Sequence, residues 1–336
     1  MKRANTKMMK EINKNIIRNC FRTELDSTAA QLSQKTGLSV VTVNALLKEM
    51  VETKEVLVGQ NIPSNGGRPS TVYKYNDMFR CAAIIFGFTR NDKNYIKILV
   101  TNLLGKCIYE EENIFENVND NSFNDILDIL FDKYESIEAI AFGLPGTEEN
   151  GVITINDYPD IVGDTFLKHY KEKYKVPVIF VNDINAAVNG YYHNKLDNNH
   201  TQTVVGLVFN RVHLPGSGIV INGEIHTGKS NFAGEVAYMP IGIDWINLDY
   251  YDCEKVCSAI GKLIAMMSCI IAPDYFVVYG DFFNVESEKK IKENANNMLQ
   301  NHFDANIIVC DGFEEDYKSG MIRASLEILK NSERIF

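Results

Sequence analysis

The sequence predicts an α/β protein: a winged-helix head over residues 1–78, then a longer body in which strands alternate with helices. Three observations carry that expectation. In the body, apolar strand-like runs such as Cys81–Gly87, Tyr95–Thr101 and Thr203–Phe209 alternate with helical stretches. In the head, two short helical segments flank a turn at Gly37, and two alternating runs follow around a glycine-rich tip. Charge divides at the same place. Residues 1–80 hold 13 Lys+Arg against 7 Asp+Glu, and the rest holds 21 against 37.

The head opens with a helical stretch in which Ile12, Ile16 and Ile17 share one face. Ser27 is placed to cap a short helix that ends at Gly37, and Ser39 to cap the next, VVTVNALLKEMVETK. Helix, tight glycine turn, helix is the spacing of a helix-turn-helix, whose second helix enters the DNA major groove. Its early exposed positions would touch DNA, which nominates Ser39, Thr42, Asn44 and Lys48. The two runs of VLVGQNIPSNGGRPSTVYKYN form a wing with Arg68 at its tip, in reach of a backbone phosphate or the minor groove. A basic head on an acidic body is expected to meet a polyanion, here double-stranded DNA. Asp26, Glu49, Glu52 and Glu55 dilute that basic face, and a winged-helix fold used only for protein contacts is the alternative.

In the body, further strands are expected at Ala139–Gly143, Val178–Val181, Gly218–Asn222 and Tyr275–Gly280, with helices at 122–137, 253–271 and 317–336. Residues 181–190, VNDINAAVNG, place Asn182 and Asp183 at the end of an apolar strand, where a carboxylate is held rigidly and opens into a cleft. The chain is 45% hydrophobic and 23% charged, ordinary for a globular protein. Its longest apolar stretch, LIAMMSCIIAP, falls far short of the roughly 20 residues that span a bilayer. The start, MKRANTKMMKEINKN, has no signal-peptide form, so a cytoplasmic protein without membrane contact is expected. The seven scattered cysteines read as buried free thiols. Residues 223–230, GEIHTGKS, match a P-loop pattern, but the two glycines and proline that follow make a poor helix to receive phosphate.

The head order AxLSxxTGLSxxTVxxLLxxM, then GGRPSxxYxxN, resembles that of the ROK family (repressor, open reading frame, kinase). The body resembles it too, in family order: Phe142–Gly146, then Pro177–Ala187, then Gly218–Gly223 with Gly228 and Ala233–Glu235, then Ala272–Asp274. The resemblance implies a two-lobed actin-like sugar-kinase fold, with lobes at 79–190 plus 317–336 and at 191–316, and a homodimer or higher homo-oligomer. It makes Asp183 the counterpart of the family base. It assigns Gly146, Asn182, Asp183 and Glu235 to a carbohydrate cleft, with Tyr238 where the family has a histidine.

Departures from the family pattern bear on activity. Where the family opens its first lobe with Asp-x-Gly-Gly-Thr, residues 85–92 read IFGFTRND. Where it has Gly-Thr-Gly-x-Gly, residues 212–218 read VHLPGSG, and Pro215 offers no amide N–H. The family's zinc-binding cysteine run is missing, so no metal and no cofactor are expected. The expectation is therefore a regulator rather than an enzyme, probed by a carbohydrate effector, with Asp183 as a ligand anchor. The alternatives are an active ATP-dependent carbohydrate kinase and a DNA-binding scaffold that senses no ligand.

Overall fold

The computed structural model describes residues 2–62, 69–90, 93–196, 201–211, 213–302 and 306–332, with side chains from residue 7 to residue 330. The head runs α1 (Lys2–Thr23), β1 (Asp26–Thr28), α2 (Ala29–Thr36), α3 (Val40–Glu52), β2 (Val56–Ile62) and β3 (Ser70–Tyr75). The cap of α2 is Thr28, not Ser27. Ser27 is inside β1, paired with Tyr73, so the chain turns into the helix one residue later. The Thr28 hydroxyl accepts from the Gln31 amide at 3.3 Å, and Gln31 Oε1 accepts from the Thr28 amide at 2.8 Å, a reciprocal capping box. Gly37 ends α2 at φ 72°, a left-handed conformation that glycine adopts without steric cost. Ser39 caps α3 by accepting from the Thr42 amide at 3.1 Å.

Ile17, Phe21, Leu32, Val43, Leu47, Met50 and Val56 form the head core, each fully buried. Of Ile12, Ile16 and Ile17, which share one face of α1, Ile17 is fully buried, while Ile12 and Ile16 remain 43% and 36% exposed. Periodicity identifies an apolar stripe but not which edge of it the partner elements reach. The wing is the edge of a three-stranded sheet ordered β1-β3-β2, and its tip, with Arg68, lies outside the described residues.

The body repeats one sheet plan twice. The first lobe has β4 (Cys81–Arg90), β5 (Lys93–Asn102), β6 (Cys107–Ile114), α4 (Asn124–Lys133), β7 (Ile137–Leu144), β8 (Gly146–Glu149), β9 (Val152–Asn156), α5 (Thr165–Tyr174) and β10 (Val178–Asn182). After α6 (Asp183–Lys195) the second has β11 (Thr203–Val208), β12 (Gly216–Ile221), β13 (Glu224–Ile225), α7 (Cys253–Ile271), β14 (Tyr275–Tyr279), α8 (Val285–Met298) and β15 (Asn306–Cys310), and α9 (Phe313–Ser332) closes the chain. Taking the sheet strands of each lobe in chain order, both sheets are ordered third-second-first-fourth-fifth. In both, the first three strands are antiparallel and the last two join in parallel.

The outer face of the first sheet packs under α4 and α5 through Phe123, Leu127, Phe142, Phe166 and Tyr170. The outer face of the second packs under α7 and α8 through Leu207, Ile260, Leu263, Phe276 and Ile291. The inner faces close on α6 and α9. Ile84, Phe86 and Ala141 meet Ala186, Tyr317 and Met321, and Val204, Val220 and Val277 meet Val188 and Tyr191. A Cβ at Gly190 would lie 1.9 Å from Asp316 O, and one at Gly320 would lie 1.8 Å from Ala186 O. The two helices thus cross backbone to backbone, and residue 190, where the sequence reading divided the lobes, is inside this shared layer. Beyond the crossing α9 reaches the head, whose core includes Ala82, Leu103, Ala139 and Leu329 from the body. Among the described residues, no helix is long and apolar enough to cross a membrane.

Candidate ligand cleft and nucleic-acid face

β10 lies parallel to β7 with Asn182 opposite Leu144, so its C-terminal end opens beside the β7–β8 turn. That edge is where open α/β sheets bind ligands. Asn182 is committed internally: its Oδ1 accepts from the Asn185 amide at 3.0 Å as the cap of α6, and its Nδ2 donates to Gly146 O at 3.0 Å. Gly146 has φ 146°, and a Cβ there would sit 2.2 Å from Ile155 O, so the β8–β9 hairpin closes directly on it. Both residues shape the cleft rather than reach into it.

Asp183 is the first residue of α6 and half-buried. Burial pushes its carboxyl up to about 6, Asp157 adds to the rise, and the Ile184 amide opposes it. On the facing lobe, Gly216 and Gly218 let β12 close on α6; a Cβ at Gly218 would be 3.1 Å from Ile184 O and 3.2 Å from Asn185 Oδ1. Between them, the Ser217 amide donates to Gly234 O at 3.0 Å. Gly234, at φ 98°, brings in Glu235, whose carboxyl is also raised by burial. Asp183 and Glu235 are thus linked through one short stretch of β12. Tyr238 stands 69% exposed at the rim, stacked on Phe232 with centroids 6.2 Å apart.

Among the buried side-chain polar atoms of the described residues that have no hydrogen-bond partner, four are Asn156 Nδ2, Asn185 Oδ1, Ser217 Oγ and Tyr317 Oη. Asn156 Nδ2 is 2.8 Å from where a Gly146 Cβ would stand, Asn185 is three residues from its cap Asn182, Ser217 is bonded to Gly234, and Tyr317 Oη lies against Gly143. Buried groups left unsatisfied cost about 1–3 kcal/mol each, so water or a polar ligand is expected beside these four. The sequence reading missed Asn156 and Tyr317, because an isolated Asn in a hairpin and a Tyr in an amphipathic helix carry no pattern of their own. The lobes also touch across the cleft: Asn231 Nδ2 donates to Glu148 O, Ser230 Oγ to Glu149 Oε1 at 3.2 Å, and His213 Nδ1 lies 3.8 Å from Asp157.

The raised Asp183 predicts a pH signature. Its folded pKa of about 6 exceeds the ordinary 3.8, so the folded state binds this proton more tightly and the ionised carboxylate destabilises it. The cost is complete above about pH 6, of order 3 kcal/mol at ~1.4 kcal/mol per unit, and vanishes as pH falls through 6 toward 4. Asp183→Asn is expected to raise the unfolding midpoint at pH 8 and to lose that gain by pH 4. An advantage that does not change with pH would show that Asp183 is ordinary.

At the first phosphate-loop position, β4 and β5 stay paired to Arg90 opposite Lys93. The Arg90 guanidinium stacks 5.0 Å over Phe88 and 4.9 Å over Tyr95 and bonds Glu112 and Glu314. Asn91, Asp92 and Val212 lie outside the described residues. Within residues 223–230, β13 is followed by a 3-10 turn that starts at Lys229 and ends at Asn231, so no α-helix N-terminus faces this segment as a P-loop needs. Cys253 and Cys257 lie with Sγ atoms 3.7 Å apart on α7, and burial pushes Cys257 up to about 12. Among the described residues no group of three or more His, Cys, Asp and Glu stands where it could hold a metal ion.

On the head, Ser39, Asn44 and Lys48 are exposed on α3 and Thr42 is half-buried. Val41, 80% exposed beside them, escaped the sequence reading, although its offset from buried Val43, Leu46 and Leu47 puts it on the outer face. An apolar side chain there suits a thymine methyl. Two of the four acidic residues thought to dilute this face are occupied. Glu49 is paired with Lys10 and Lys14, and Glu55 is buried against Arg18.

Residues 93–258 match the ROK family. The xylose repressor of Bacillus spizizenii (strain ATCC 23059 / NRRL B-14472 / W23) is 25% identical over 251 residues, covering 71% of this chain and 62% of that protein. The chain thus spans less than two thirds of that relative's length. A solved ROK family transcriptional regulator, a homologue of the E. coli MLC protein, has a TM-score of 0.62 at 13% identity, covering 97% of this chain and 98% of its own. A ROK hexokinase from Thermus thermophilus has a TM-score of 0.60 at 15% identity, covering 75% of this chain and 99% of its own. At these identities the structural likenesses establish the shared fold, a mixed α/β body of sugar-kinase type with, in the first case, a head before it.

Proposed function

We propose that this chain, a member of the ROK family, is a DNA-binding transcriptional repressor whose cleft takes a carbohydrate effector. Residues 1–78 are the DNA-binding head and the kinase-like body is the sensor. The observation that carries the reading is α3: a capped second helix of a helix-turn-helix, presenting Ser39, Asn44, Lys48 and Val41 outward while its other face is locked into the head core. Repressors among the relatives support it. Groove reading by two heads across two half-sites needs paired copies, so a homodimer acting in the cytoplasm completes the proposal.

A phosphoryl-transferring enzyme is the second reading, favoured by Asp183 at the family's base position. Transfer needs amides and metal around the donor phosphates, and the first-lobe hairpin instead holds the Arg90, Phe88 and Tyr95 cluster. Asp183 is therefore an anchor for a ligand hydroxyl, with Glu235 and the unpartnered Asn156, Asn185 and Ser217 atoms as its companions. The test is DNA binding to fragments flanking the gene, measured across a salt series. Lys48→Ala is expected to weaken binding evenly across sequences and reduce the slope of log K against log salt by about 1. Unchanged affinity and slope would remove α3 from the interface.

A further inference from the structure

At about 100° per residue, the side chains of α3 divide into two opposite arcs. Val43, Leu46, Leu47 and Met50, all buried, fill one, and Val41, Asn44, Ala45, Lys48 and Glu52, all exposed, fill the other. Two polar residues of this helix start are already committed. The Ser39 hydroxyl accepts from the Thr42 amide at 3.1 Å, and the two side-chain oxygens are 2.9 Å apart, so both serve the cap. The side chains of Asn44 and Lys48 make no hydrogen bond or ion pair with any described residue.

In the major groove the thymine C5 methyl is the one apolar group, and each base edge otherwise shows donors and acceptors. Val41 is 80% exposed, and Ala45 stands one turn beyond it. The helix therefore offers two small apolar groups about 6 Å apart along its axis, close to two base-pair steps. Asn44, between them in sequence, has the amide donor and acceptor that match adenine N7 and N6. The helix has no arginine, whose planar fork reads guanine. Lys48 is left for a backbone phosphate. Glu52, at the far end, repels the backbone, so the first turns of α3 are the end that enters the groove.

We propose that α3 reads its site through thymine methyl groups and one adenine: Val41 and Ala45 each pack on a methyl, and Asn44 bonds the adenine edge. This rests on the repressor reading and states which base pairs the half-site must hold, A·T pairs wherever these three side chains touch it.

The test begins by enriching the preferred duplex of the full chain from a randomised pool at fixed salt. Each thymine of the enriched half-site is then replaced singly by uracil, which pairs identically and lacks only the methyl. Two replacements, roughly two base-pair steps apart, are expected to weaken binding about threefold or more each, and the others to change it little. Val41→Ala should bind the thymine site more weakly and lose the response to one of the two replacements. Its unfolding midpoint should stay unchanged, because the side chain is exposed. Asn44→Ala should lose about tenfold in affinity, and with it the preference for A·T over G·C at one pair. The proposal is overturned if G·C pairs are enriched throughout the contacted positions, if no uracil replacement weakens binding, or if Val41→Ala keeps the full response to both. In each of those outcomes a sequence-specific complex still forms and the repressor reading stands. If no sequence is enriched over the pool, that reading falls and this proposal falls with it.

Discussion

Replacing Arg18 with alanine is expected to destabilise the head by about 3–5 kcal/mol, enough to abolish DNA binding near physiological temperature. Arg18 and Glu55 are 7% and 4% exposed. The guanidinium meets the carboxylate through two bonds: Nε to Oε1, and Nη2 to Oε2 at 3.0 Å. Its Nη1 also reaches Asn15 Oδ1 at 2.6 Å. The pair ties α1 to the start of β2, and so the first helix to the wing. Removing one partner leaves a buried charge uncompensated, which is why the loss exceeds what a surface ion pair contributes, about 0–1 kcal/mol. Arg18→Met with Glu55→Leu should recover most of the stability, because no charge is then left desolvated. Chemical denaturation followed by head-specific probes reads both. Equal losses in the single and double variants would show that packing, not the charge pair, holds the head.

Gly320→Ala is expected to cost about 2–3 kcal/mol, although alanine is by about 1 kcal/mol the better helix former. The added methyl would stand 1.8 Å from the Ala186 carbonyl oxygen, a backbone atom that no rotamer change can move. α6 and α9 must separate, and both sheets rest on them. The outcome is a lower unfolding midpoint and weaker coupling between cleft and head. A neutral or stabilising effect would mean that the helices do not cross at this spacing.

How much of this was legible in the sequence follows from what leaves a periodic or positional mark. Cys253–Ile271 stands as one helix with those bounds, because its apolar stripe is long and Asp252 and Ala272 end it cleanly. Gly37 and Ser39 were legible because a left-handed turn and a cap demand particular side chains. The repeated sheet order was not, since strand order depends on pairings between distant segments such as β11 with β14. In the cleft, Asp183 and Glu235 were found through motifs. The roles of Asn182 and Gly146 as scaffolding, and the unpartnered Asn156 and Tyr317, appear only when β8, β9 and α9 are folded against β10. Glu55 read as surface charge and is buried, because its partner Arg18 is 37 residues away.

The central claim is that a ligand held by Asp183 governs the affinity of the head for DNA, and its most direct measurement is a fluorescence titration of a flanking DNA fragment at fixed salt, with and without a panel of aldoses. One sugar is expected to lower the affinity of the wild-type chain at least tenfold, and Asp183→Asn to bind the same DNA but no longer respond. A chain whose DNA affinity no sugar changes, or a variant that responds as the wild type does, would contradict it.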